Sequence, residues 1–120
     1  MPNLKDTLKD RLSRDRQINV SVIGRKSGRT ISIPVWFVVE GEKLYLLPVQ
    51  GSGTQWYRNI LKNPPIGIDA RGVGAEFRAT PVTDAKAVNS VIEKFRGKYT
   101  AKEVKKYYSG FDVAVVMELG

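Results

Sequence analysis

Ile18 to Pro48 reads INVSVIGRKSGRTISIPVWFVVEGEKLYLLP, and the order of its apolar residues decides the fold class. Ile18, Val20 and Val22 alternate with Asn19, Ser21 and Ile23. That period of two predicts a half-buried strand, and Gly24 stops it. Thr30 to Val39 is β-branched and aromatic, which predicts a second strand, and Glu40-Gly41-Glu42-Lys43 turns it into a third, Leu44 to Pro48. Three antiparallel strands in succession are expected, the first joined to the second through Arg25-Lys26-Ser27-Gly28-Arg29.

Downstream, Gly51-Ser52-Gly53 breaks the pattern and Thr54 is placed to cap a short helix through Lys62, with Trp56, Ile60 and Leu61 facing inward. Asn63-Pro64-Pro65 ends that helix. Ile66 to Ala70 and Ala75 to Val82 read as strands around Arg71-Gly72-Val73-Gly74, a second hairpin. Thr83 or Asp84 caps a longer helix whose buried stripe is Val88, Val91, Ile92 and Phe95. Ala101 to Tyr108 predicts one more short helix, and Phe111 to Leu119 is apolar enough to be a central strand that closes the sheet.

Upstream, Leu4, Leu8 and Leu12 recur every four residues and predict an amphipathic helix over 1–16 that caps the core. Lys5, Lys9, Arg11 and Arg14 on its polar face leave weak membrane-surface association as the alternative. Two hairpins and a returning strand, with helices between and around them, are the order of an α+β barrel rather than of repeated βαβ units. No GxGxxG follows any strand, so no dinucleotide fingerprint is present.

The 120 residues suit a single domain, 1–120, able to bury a core unaided. With no cysteine there is no disulfide framework, thiolate nucleophile or cysteine-based metal site. With no histidine, triad hydrolysis and histidine-based metal catalysis are excluded, and no metal site is expected. An enzyme built on this chain would borrow its reactive atom from a cofactor. Twenty Lys+Arg against twelve Asp+Glu give a formal charge of +8, which attracts phosphorylated cofactors, nucleic acid or acidic lipid. The start has no uninterrupted apolar run for a signal peptide or a span, and the absent cysteines suit a reducing, cytoplasmic compartment.

Three clusters carry candidate chemistry. In Ile23 to Thr30, glycines allow backbone N–H groups to approach an oxyanion, Arg25, Lys26 and Arg29 neutralise it, and Ser27 adds a neutral donor. This suits a phosphate; the ordinary alternative is a solvated basic turn. In Pro48 to Asn59 a small, flexible loop feeds a helix N-terminus that would welcome an anionic or carbonyl group near Ser52 to Gln55. Trp56 either packs under a flat ring or belongs to the core. In Lys98 to Tyr108, phenols scattered among lysines could donate to a reacting carbonyl or nitro oxygen. The same aromatics in a basic surface would suit stacked bases, which makes a noncatalytic nucleic-acid binder the rival reading.

Taken in order, GRKSGRTISIPVWF, LYLLPVQGSGTQWYRNILKNP and the Tyr-rich helix before a Val-rich strand resemble the deazaflavin-dependent nitroreductase and quinone reductase family. That family belongs to the pyridoxamine-phosphate-oxidase-like split barrels, and the similarity runs from about Ile18 to the C-terminus. The resemblance implies a split β-barrel of about six mostly antiparallel strands with flanking helices. It implies a coenzyme F420 site in which Arg25, Lys26, Ser27, Gly28 and Arg29 hold the phosphate and acidic tail. Pro34, Val35 and Trp36, with Val49, Gln50, Gly51 and Ser52, would flank the deazaflavin ring, and Gln55 and Trp56 complete the candidate set. Related split barrels bind FMN with similar parts, so FMN is the alternative cofactor; the acidic tail of F420 accounts better for the charge.

The activity so implied is hydride transfer to a small flat electron acceptor, a quinone, nitroaromatic or activated enone. Tyr57, Tyr107 and Tyr108 are its candidate donors. No nucleic-acid partner is expected on this reading, and fold-level analogy suggests a homodimer. One departure stands out: family members often carry a histidine shortly before the Trp-Tyr pair, where Gly53-Thr54-Gln55 stands here.

Overall fold

The structure is a computed structural model that describes residues 8, 12, 15–70 and 72–119. Most of the amphipathic helix expected over 1–16 lies outside the described residues, Leu4 and the four basic residues of its polar face included. Leu8 and Leu12 are helical and each 1% exposed, so both are anchored in the core.

Among the described residues, eight strands form two antiparallel four-stranded sheets. The first holds β2 (Thr30–Val35), β1 (Ile18–Ile23), β5 (Pro65–Ala70) and β6 (Val73–Arg78), side by side in that order. The second holds β3 (Phe37–Glu40), β4 (Lys43–Leu46), β8 (Ala114–Glu118) and β7 (Thr80–Val82). Helices α1 (Gln55–Lys62), α2 (Ala85–Tyr99) and α3 (Ala101–Tyr107), with a single 3-10 turn at Gly51–Gly53, join the strands. The architecture is the expected α+β split barrel.

Two expected strands are each divided. The run from Thr30 to Val39 breaks at Trp36, so β2 pairs with β1 in one sheet while β3 pairs with β4 in the other. The run from Ala75 to Val82 breaks at Ala79 in the same way, β6 pairing with β5 and β7 with β8. The expected three-strand succession is therefore split between sheets, because a strand that bends can serve two sheets and form a corner between them. Period-two patterning does not register such a bend, since alternation resumes beyond it. Pro34 falls on β2, an edge strand, where a missing N–H is tolerated.

The inner faces of the two sheets enclose one core, including Val20, Phe37, Leu44, Ile68, Val115 and Met117. A second core lies between the outer face of the β3-containing sheet and helices α2 and α3, built on Val38, Val91, Phe95, Tyr99, Val104 and Ala114. That sheet is buried on both faces, which is why its central strand β8 reads as a nearly continuous apolar run. The strand begins at Ala114 rather than Phe111, which is exposed. Asp84 caps α2 by accepting from Ala87 N at 3.0 Å, and Val88, Val91, Ile92 and Phe95 form the buried stripe. Leu61 faces solvent, contrary to expectation, while Trp56 and Ile60 are buried. Among the described residues no helix is long and apolar enough to cross a membrane.

Candidate functional site

Two recesses meet at the first turn of α1. The larger is a cleft of about 630 Å³ walled by Ile33, Pro34 and Val35 of β2, Trp36 at the sheet corner, Leu47 and Val49, Trp56, and Tyr107 and Tyr108. Gln17 and Thr54 supply its remaining polar edges. The smaller, about 320 Å³, is lined by Gly24, Arg25, Lys26, Ser27, Ile31, Gln55 and Asn59. Thr54 and Trp56 therefore face one recess while Gln55 and Asn59 face the other.

Trp36 is held from behind. Its ring stacks on Tyr99 with centroids 4.3 Å apart and planes within 8°, and meets Tyr107 edge-on at 5.4 Å. Tyr99 is fully buried, and its hydroxyl accepts from Phe37 N at 3.0 Å. The same hydroxyl lies 2.8 Å from Phe37 O and 2.7 Å from Arg16 O, the two acceptors of its one proton. Burial pushes the Tyr99 phenol up to about 12. Lys98 Nζ donates to Phe37 O at 2.9 Å, and burial, aided by the Arg16 charge, draws the ammonium down to about 8. Tyr108, also buried, has its phenol pushed well above the usual range by desolvation.

The loop between β4 and α1 is tied to the segment after α3. Val49 O accepts from Ser109 N at 2.7 Å and Gly110 N at 3.2 Å, and Gln50 bridges to Gly110. Asp112 accepts from Ser52 N at 2.9 Å and Ser52 Oγ at 2.6 Å. Those two bonds hold the Asp112 carboxyl below its ordinary value. Gly51 takes φ +59, the left-handed region that favours glycine, and a Cβ there would run into Asp112 Oδ1. Thr54 stands at the N-cap of α1 but makes no side-chain capping bond; its Oγ1 accepts from Gln50 N at 2.8 Å instead.

The basic turn is anchored through Arg25. Its Nη1 donates to Asn59 Oδ1 and its Nη2 to Gln55 Oε1, both at 2.8 Å. Lys26, Ser27, Gly28 and Arg29 are exposed, with Gly28 at φ +71, and Ser27 Oγ accepts from Arg29 N at 3.2 Å.

The sequence-predicted residues thus fall into four places. Pro34, Val35, Trp36, Val49, Trp56, Tyr107 and Tyr108 share the cleft. Arg25, Lys26, Ser27 and Gln55 share the basic recess, with Gly28 and Arg29 on the same turn. Gln50, Gly51 and Ser52 do not line the cleft; they belong to the clamp with Gly110 and Asp112. Tyr57 is in the core between the sheets and lines neither recess, its phenol raised by burial and then by Asp112. Asn59, Tyr99, Asp112 and Gln17 were not singled out. Asn59 had a signal: it follows Gln55 by four residues, so the two amides share one helix face otherwise flanked by the buried Trp56 and Ile60.

The profile of the F420H(2)-dependent quinone reductase family matches residues 4–119. No curated protein matches the chain. Among solved structures, an F420-H2 dependent reductase, FDR-A, is 17% identical with a TM-score of 0.66, over 86% of this chain and 94% of that one. A Listeria innocua structure named for pyridoxamine 5′-phosphate oxidase is 13% identical with a TM-score of 0.68, over 96% and 92%. A structure named as a domain-swapped dimer is 15% identical with a TM-score of 0.67, over 97% and 100%. At these identities the structures establish a shared fold, whereas the profile spans nearly the whole sequence. The chain belongs to the F420H(2)-dependent quinone reductase family.

Proposed function

We propose that this protein binds reduced coenzyme F420 and reduces a small flat electrophile, a quinone, nitroaromatic or activated enone. The observation that carries this reading is the juxtaposition of an aromatic cleft with a cationic turn across one helix end. A cofactor with a flat ring and an anionic tail needs both, and the residues present fit: apolar walls for the ring, Lys26, Ser27 and Arg29 for the tail. When bound, reduced F420 supplies the hydride.

The chain's own groups orient and shield. Trp36, Val49 and Trp56 exclude water from the cleft and confine a planar ligand, which strengthens every polar contact inside. Lys26 and Arg29 neutralise phosphate and carboxylate through charge-assisted bonds, and the positive φ of Gly28 bends the backbone between them. Tyr107 and Tyr108, rather than Tyr57, line the cleft. Burial makes the Tyr108 proton hard to remove, so it serves as a hydrogen-bond donor to developing negative charge rather than as an acid.

Fluorescence titration tests this directly. F420 is expected to bind with micromolar or tighter affinity, with FMN as the competing ligand in a parallel titration. Lys26→Ala with Arg29→Ala is expected to weaken binding roughly a hundredfold, the loss of two hydrogen bonds to charged groups. Absence of binding by either cofactor would overturn the reading. Oligonucleotide binding with a steep salt dependence would then put the nucleic-acid reading in its place.

A further inference from the structure

Arg25 stands first among the cations of the basic turn, yet its bonding is directed into the protein. Its guanidinium Nη1 and its backbone N–H converge on one atom, Asn59 Oδ1, at 2.8 and 3.1 Å. Its Nη2 donates to Gln55 Oε1 at 2.8 Å, and its carbonyl accepts from Lys62 Nζ at 2.9 Å. Gln55, Asn59 and Lys62 are spaced by four and three residues, so the turn is fastened along one face of α1. Asn59 is 4% exposed, one of three buried polar residues among those described. A buried amide oxygen that serves two donors leaves both unsatisfied when it is removed, a larger loss than that of one surface bond.

We infer that Asn59 is the positioning residue of the basic turn and that Arg25 is its strut, so that Lys26 and Arg29 are the cations that meet an anionic ligand. The identity of that ligand rests on the proposed function; the bracket itself does not. The bracket also sets distance. Helix α1 presents Thr54 and Trp56 to the aromatic cleft and Gln55 and Asn59 to the turn, so a ligand that spans both recesses encounters a separation fixed by one helix. A loosened turn would leave the cleft intact and spoil the reach between them.

Hydrogen exchange on the ligand-free chain reads the bracket without any cofactor. Asn59→Ala is expected to speed exchange of the amides of residues 25–29 about tenfold, while Asn59→Asp, which keeps the acceptor, stays near wild type. Arg25→Ala removes the two guanidinium bonds, to Asn59 and Gln55, and keeps the backbone bond to Asn59. It is expected to speed exchange across residues 26–29, with the residue-25 amide less affected than in Asn59→Ala, and it stands in if Asn59→Ala does not fold. In F420 titrations Asn59→Ala is expected to raise Kd about tenfold. With Asn59→Ala and Gln55→Ala combined, adding Arg25→Ala should change little, whereas adding Lys26→Ala to Asn59→Ala should multiply the loss. Ile60→Val, a neighbouring core change, should lower the melting temperature without touching turn exchange, which separates positioning from general stability.

Unchanged exchange in Asn59→Ala would overturn the inference. So would a loss multiplied by Arg25→Ala once both of its side-chain partners, Asn59 and Gln55, are already replaced by alanine, which would make Arg25 a direct ligand. If the wild-type chain binds no F420 while turn exchange still depends on Asn59, the cofactor assignment falls and the bracket stands.

Discussion

Tyr99 shows how much a single hydroxyl can organise. It satisfies Phe37 N and bonds to two carbonyls, and its ring is the surface on which Trp36 lies. Tyr99→Phe is expected to cost about 1–3 kcal/mol in urea denaturation, because it leaves buried backbone groups unpaired. A changed tryptophan emission should accompany it, since Trp36 loses its fixed backing. Lys98, beside it, yields a pH prediction. Its ammonium is drawn from 10.5 to about 8 in the folded chain, so between those values the unfolded chain holds a proton that the folded chain has released. Stability then rises with pH across that window. The melting temperature of wild type relative to Lys98→Met should therefore climb from about pH 7 to about pH 10. A flat difference would count against a desolvated Lys98. Neither role was legible in sequence, where Lys98 and Tyr99 sit in a stretch of phenols and lysines that reads as a candidate donor or base-stacking surface rather than as a buried brace.

Among elements, the decisive contact joins two loops rather than two strands. The turn at 49–53 and the segment at 108–112 are held by Val49 O, the Gln50 to Gly110 bridge and the Ser52 to Asp112 pair. Together they tie to each other the segments that bring Val49 and Tyr107 to the cleft wall. Gly110→Ala would set a Cβ 2.6 Å from Gln50 C and Gly51 N, backbone atoms that cannot swing aside. A destabilisation of about 1–3 kcal/mol is expected, checked by chemical denaturation. Asp112→Ala should speed exchange of the Ser52 amide without unfolding the sheets. The depressed Asp112 carboxyl makes the clamp intact above its ordinary range and lost as pH falls through its lowered value, so wild type should approach the variant in acid. At this scale the sequence was a good guide to helices. Asp84 and the Val88 to Phe95 stripe are local signals, and both appear in α2. It misplaced the cap of α1, because Thr54 Oγ1 has a better partner in the tightly folded loop before it.

For the whole molecule, the charge of +8 surrounds a site whose own cations number only a few. Its field should speed capture of an anionic cofactor, and salt should weaken that capture. Raising ionic strength from about 0.01 to about 0.15 M shortens the screening length from about 30 to about 8 Å, so F420 association should slow measurably in stopped flow. An unchanged rate would confine the electrostatics to the turn. Residues read in order were enough for the helices that became α1, α2 and α3, for the hairpin turns and, through the motifs, for the family. These are local in character, carried by caps, periods of two or four, and residue types present or absent. The corners at Trp36 and Ala79, the burial of Tyr57 and the bond from Arg25 to Asn59 were decided only in three dimensions. Each depends on which distant surface arrives opposite, and a strand's alternation or a cation's position in a motif carries no information about what it will face.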